Sequence, residues 1–329
     1  MMKTTKSADG TVLAYDRTGH GPPLVVAVGA LCDRKTFVPP PGLAATFTVF
    51  TYDRRGRGDS GDTPSYSPDR EIDDLAAIVE VAGPGAFGYG HSSGAALTLQ
   101  AAARGVPFAA VAAYEAPYVI QGARQVPENP GPRLEAMVAS GRRSDAVRFW
   151  MTDVVQVPAP IVAKMERLPV WPALEALAHT LPYDLALTDQ GIPADEQAKI
   201  TVPVLVMGGA RSPDWFKRTV AATAAATPGA RLLMVEGQDH NVPAEVISPV
   251  LTEFFLSSLG FSGLSGFLER KAEHDRDEHQ DFSRHRDHRR PGRPGRGRAD
   301  RGRHRRDHRR HDHGGGGPGL HPAGRRHPG

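Results

Sequence analysis

Short β-rich runs recur along the chain at residues 24–28, 47–52, 86–89, 109–114, 204–207 and 232–235, and helical stretches separate most of them. Strands joined through helices pair in parallel, and a parallel sheet must be covered on both faces. The expected fold class is therefore α/β, a mostly parallel central sheet with helices on both faces. The helix signal is clear in DREIDDLAAIVEVAG, which opens with acidic residues and then places Ile72, Leu75, Ala76 and Val79 at helical spacing. Ahead of the first buried run, GTVLAYDRTGHGPP alternates polar and apolar residues and is read as a hairpin with His20 in its turn.

The rhythm breaks at residues 121–199. That segment is punctuated by prolines and helical in pattern, as in PRLEAMVASGRRSDAVRFWMTDVV and WPALEALAHTL, with no convincing strand. It is too long for an ordinary connection and is expected to be an inserted helical cap. The expected organisation is a core of residues 1–120 and 200–260, the cap of 121–199, and a low-complexity tail of 261–329. Charge separates the tail from the rest. From Arg270 onward it holds 18 of the 40 basic and 9 of the 37 acidic residues, which leaves an acidic body. Arg-, His- and Gly-rich sequence with almost nothing apolar is expected to be disordered, a solvated extension rather than a nucleic-acid arm. Its deletion is expected to leave activity unchanged.

Ten of the 14 histidines also lie in the tail, so the body offers only His20, His91, His179 and His240. Gly90-His91-Ser92-Ser93-Gly94 stands between an apolar run and an Ala/Leu-rich helical stretch, and it fits G-x-S-x-G. In a nucleophile elbow the serine occupies a sharp strand-to-helix turn, and the flanking glycines let the two backbones pass closely. In that context Ser92 is read as the nucleophile. A serine hydroxyl needs a base to take its proton. His91 adjoins the serine and points away from it, His20 lies in a turn, and His179 lies among the cap helices. His240, in the loop GQDH after the last strand, is the candidate base.

Together VVAVGA, YDRRGRGDSG, GHSSG and GQDH resemble the α/β-hydrolase superfamily over roughly residues 7–260. The resemblance implies an oxyanion hole formed by the backbone N–H groups of Ser93 and of Ala30, or of Leu31 beside it. It also implies a triad acid, usually Asp in a Gly-x-x-Asp turn after the strand at 204–207. Here the turn reads Gly209-Ala210-Arg211-Ser212, with serine in the acid's place. Two carboxylates are alternatives. Glu115 ends the strand after the elbow helix, where some branches of the superfamily carry a glutamate, and it is favoured. Asp214 lies two residues beyond Ser212 and needs a shifted loop.

The resemblance implies a serine hydrolase that cleaves a hydrophobic carboxylic ester or lactone through an acyl-enzyme. Leu31, Tyr118, Trp150 and Trp171 are the side chains expected to line an apolar pocket. Thioesterase, C–C hydrolase and cofactor-free perhydrolase chemistry stay open, as does a non-catalytic small-molecule binder on the same shell. Arg54, Arg55 and Arg57 sit among Asp53, Asp59 and Asp62 and are read as a solvated or internally paired loop. The body has no Walker or dinucleotide glycine pattern and no metal-ligand cluster, so no cofactor or metal is expected. The lone Cys32 excludes an intramolecular disulfide. The N-terminus lacks an apolar signal region and no apolar run is long enough to cross a bilayer, so the expected location is the cytoplasm, with no membrane contact.

Overall fold

The computed structural model describes residues 2–260, and the expectations for the tail lie outside them. Eight strands form one sheet: β1 Lys3–Lys6, β2 Val12–Gly19, β3 Pro23–Ala27, β4 Thr48–Tyr52, β5 Phe87–His91, β6 Ala110–Tyr114, β7 Val204–Gly209 and β8 Arg231–Val235. Their spatial order is β1-β2-β4-β3-β5-β6-β7-β8. The pairs β1-β2 and β2-β4 are antiparallel, and every pair from β4 to β8 is parallel. This corrects the expected hairpin around His20. β4, buried along its whole length, takes the place between β2 and β3, and β2 turns back on β1 instead.

Three helices accompany the first half of the sheet: α1 Pro41–Thr46, α2 Pro68–Ala82 and α3 Ser93–Ala103. α2 starts where Ser67 accepts from the Arg70 N–H and Pro68 pre-sets the first turn. Its buried stripe is Ile72, Leu75, Ile78 and Val79. Between β6 and β7 the chain forms α4 Pro130–Ala139, α5 Arg143–Phe149, α6 Ala159–Met165, α7 Trp171–Ala176, α8 Leu181–Ala186 and α9 Ala194–Gln197, with a π turn at Trp150–Val154. Helix α10 Asp214–Ala226 links β7 to β8, and α11 Ala244–Ser258 follows β8.

Two apolar layers hold the sheet. Leu75, Ile78, Leu97 and Val220, from α2, α3 and α10, pack on Val25, Val111 and Val206. On the other face Leu43 of α1 with Leu251 and Phe255 of α11 cover Val26, Ala112 and Leu205. Each such Leu or Phe contributes about 1.5–3 kcal/mol by leaving water. The helices inserted between β6 and β7 have their own cluster, including Leu134, Val147, Trp150, Trp171 and Leu181, against which Ala30 and Leu31 of the loop after β3 pack. Because β3 to β8 run parallel, the loops that follow them open at one edge of the sheet, where such folds bind ligands. Among the described residues no helix is long and apolar enough to cross a membrane.

Candidate active site

Ser92 joins β5 to α3 with φ 57° and ψ −128°, a conformation that costs a non-glycine residue roughly 1–3 kcal/mol. The strain is held from both sides. The Ser92 N–H donates to Tyr114 O at 2.8 Å, and Ser92 O accepts from Ala95 N at 2.8 Å. Small neighbours are obligatory here. A Cβ at Gly90 would lie 2.5 Å from Ala95 Cα, and one at Gly94 would lie 2.7 Å from Val28 O, so any side chain would pry the helix from the strands.

Glu115 follows β6 at φ 49° and is fully buried. Its Oε2 lies 2.7 Å from His240 Nδ1, and its Oε1 accepts from the Gly209 N–H at 2.8 Å. The carboxylate thus reaches across to the end of β7, beside the turn where the sequence has serine rather than an acid. The loop carrying His240 is pinned by the Tyr114 hydroxyl, which donates to Asp239 O at 2.6 Å. The imidazole of His240 is stacked on Phe216 with ring centroids 4.6 Å apart, and His91 meets it edge-on at 5.0 Å. Burial, and after it the neighbouring His240, push His91 down to about 3, so it is neutral at physiological pH. Among the described residues no hydrogen bond joins Ser92 Oγ to His240. Such contacts are often long in unliganded enzymes and tighten on substrate binding.

Asp214, the alternative acid, begins α10 with its side chain 92 % exposed, and its only ion pair among the described residues is a 3.5 Å contact with Lys217. It is not brought to His240. Among the expected pocket residues Tyr118 is displaced. It lies in the core beneath α3, with its hydroxyl donating weakly to Ala96 O and accepting from Gln197 Nε2 at 3.2 Å. Fully buried there, the ring packs in the core rather than lining a pocket. Trp150 and Trp171 are buried in the cluster of the inserted helices, and Leu31 packs at its border.

The backbone N–H groups of Ala30 and Ser93 donate to nothing within hydrogen-bond range among the described residues. That of Ser93 belongs to the first turn of α3, where intrahelical partners do not exist and the helix dipole favours negative charge. A Cβ at Gly29 would lie 2.7 Å from Ser92 Cβ, so the loop after β3 runs directly beside the serine. Of the two readings of the arginine loop, internal pairing holds and solvation does not. Arg54, Arg55 and Arg57 are all buried, and Arg55 makes a two-pronged bond to Asp74 at 2.7 Å on each side. Phe216 and the acidic partners of Arg54 and Arg57 are not singled out by the sequence. Among the described residues no group of three or more His, Cys, Asp or Glu side chains is placed to hold a metal ion.

The alpha/beta hydrolase family profile matches residues 25–248. The chain belongs to that family. An alpha/beta hydrolase from Sphaerobacter thermophilus DSM 20745 is 50% identical, with 77% of this chain and 100% of that one covered at a TM-score of 0.74. The enol-lactonase from Burkholderia xenovorans LB400 shares 22% identity over 78% of this chain and 100% of its own, at a TM-score of 0.56. A thermophilic esterase from Thermogutta terrifontis shares 18% over 78% and 99%, at 0.58. These two show likeness of fold. A search of curated proteins returns no match. As a member of that family, the chain is a hydrolase.

Proposed function

We propose that this α/β-hydrolase cleaves a hydrophobic carboxylic ester or lactone through an acyl-enzyme, with Ser92 as nucleophile, His240 as base and Glu115 as the acid that orients it. The observation that carries the reading is the 2.7 Å contact between Glu115 Oε2 and His240 Nδ1, made on a loop whose neighbour His91 precedes the strained Ser92. With Nδ1–H donated to the carboxylate, Nε2 is free to take a proton. Ser92 Oγ then attacks the carbonyl carbon as its proton passes to Nε2. The oxyanion is received by the N–H groups of Ala30 and Ser93. Collapse expels the alcohol, which takes the proton from His240, and water repeats the sequence to release the acid and restore the serine hydroxyl.

The apolar cluster behind Ala30 and Leu31 supports an apolar acyl or alkoxy group in the substrate. The hydrogen-bonded Glu115 also weakens the case for a non-catalytic binder, since it supplies the carboxylate that serine at 212 does not. A fluorophosphonate probe tests the reading directly. Ser92 is expected to be labelled, with labelling abolished in Ser92→Ala; absence of labelling throughout pH 6–9 would overturn it. A panel of p-nitrophenyl esters, lactones and thioesters then separates the substrate classes.

A further inference from the structure

Beneath the elbow lies a charged cluster that the triad does not use, and it reaches into the inserted helices. Asp184 of α8 is about 1 % exposed. Its Oδ1 accepts from Arg54 Nη1 at 2.9 Å, from Arg57 Nη2 at 2.8 Å and from Ser93 Oγ at 2.6 Å, whereas Oδ2 has no partner among the described residues. Burial works against the charge, but Arg57 and then Arg54 hold the Asp184 carboxyl below its ordinary range. Glu71 balances the second guanidinium through Arg54 Nε at 2.6 Å. Two arginines and two carboxylates therefore cancel in a buried interior.

What the cluster grips is more informative than its charge. Arg57 Nη1 donates to Gly29 O at 2.6 Å. In a trans peptide the C=O and the following N–H point in opposite directions, so fixing the Gly29 carbonyl fixes the Ala30 N–H on the other side. Arg54 Nη1 donates in the same way to Val28 O at 3.3 Å. The hydroxyl bonded to Asp184 belongs to Ser93, whose own N–H is the second proposed oxyanion donor. A separate tether keeps α8 in register. The Tyr66 and Tyr183 rings stack with centroids 4.0 Å apart, and the Tyr66 hydroxyl, 2.7 Å from Glu71 Oε2, lies 3.1 Å from Tyr183 O.

From these contacts we infer that Asp184, a residue of the inserted helices, is a positioning residue that sets both N–H donors of the oxyanion hole, Ala30 through Arg57 and Ser93 through its hydroxyl. The inference rests on the proposed serine-hydrolase reading. It makes the transition state, rather than the substrate, depend on α8 being seated. Preorganised donors matter because charge develops on the oxygen only at the tetrahedral stage.

The test uses the full chain and the best ester from the panel. Asp184→Asn keeps the shape and removes the charge. It is expected to lower kcat by about 100-fold, the scale of losing one oxyanion donor, with KM changed less than about threefold. Affinity for an alkylboronic acid, a tetrahedral mimic, is expected to fall in parallel, while affinity for the product carboxylic acid does not. A variant with kcat within threefold of wild type, or one whose whole loss lies in KM, overturns the inference. Should Asp184→Asn not fold, Arg57→Lys serves. It keeps a positive charge, but a single ammonium cannot span Gly29 O and Asp184 as the planar fork does. The same kcat-selective loss is expected, and retention of kcat overturns the inference. Failure of the underlying reading is distinct, because there the wild-type chain itself is neither labelled nor active.

Discussion

Two buried carboxylates flank the elbow and are built on opposite terms. Glu115 faces a backbone N–H and an imidazole, and among the described residues no Lys or Arg pairs with it. Asp184 faces two guanidinium groups and a hydroxyl, all fixed as donors. The first environment orients an imidazole; the second braces backbone. A carboxylate beside a half-exposed histidine is what the proposed triad needs, whereas a neutralised cluster serves to hold neighbouring backbone still.

The largest effect that distinguishes the two belongs to Glu115→Gln. An amide cannot hold the Nδ1–H tautomer, so kcat should fall by roughly 10³–10⁴-fold, as for an Asp to Asn change in a related triad. Stability should change little, because the near-isosteric amide can still accept from the Gly209 N–H. Steady-state kinetics and urea unfolding of the same preparation check both halves. A large stability loss with kcat intact would reverse the assignment of roles. For Asp184→Asn the stability term should be the larger of the two, about 3 kcal/mol, since two arginines lose their common partner; urea titration reads it, and an unchanged midpoint would contradict the picture.

A smaller effect concerns pH. His91 is held neutral in the folded chain, at about 3 against 6.5 when free. Above pH 6.5 it is neutral in both states and adds no pH dependence. Below 6.5 only the unfolded chain takes up the proton, so stability declines by up to about 1.4 kcal/mol per pH unit until about pH 3. In His91→Gln that slope should flatten, as measured by denaturant titrations across the window. The smallest change is expected from Asp214→Asn, within about 0.5 kcal/mol in stability and about twofold in kcat, because the side chain is turned to water. A large loss of activity there would return Asp214 to contention as the acid.

Much of this was legible in the sequence where the signal is local. The runs at 109–114 and 204–207 became β6 Ala110–Tyr114 and β7 Val204–Gly209, since apolar β-rich segments between breakers have few other places to go. Glu115 is a candidate acid because the family resemblance implies a glutamate in some branches at the end of the strand after the elbow helix, and that strand end is a local feature of the sequence. What was illegible depends on long-range partners. Arg54 and Arg57 meet Asp184 from 130 and 127 residues away, while the nearby acids that suggested short-range pairing are partly taken by Arg34, which bonds Asp16, Asp53 and Asp59. One clue existed. Asp184 shares the buried side of α8 with Leu181 and Leu185, an acid among apolar neighbours at helical spacing. Phe216 gave no such hint, since a ring that stacks on an imidazole and one that fills a core look alike in sequence.

The arrangement around α8 constrains any attempt to reshape what the molecule accepts. Residues 121–199 look exchangeable, joined to the sheet only at the ends of β6 and β7, and an engineer would be tempted to graft another relative's helices there. A transplant lacking an acid where Asp184 stands would leave two buried guanidinium groups without their common partner. The new pocket would then sit above machinery it had itself loosened.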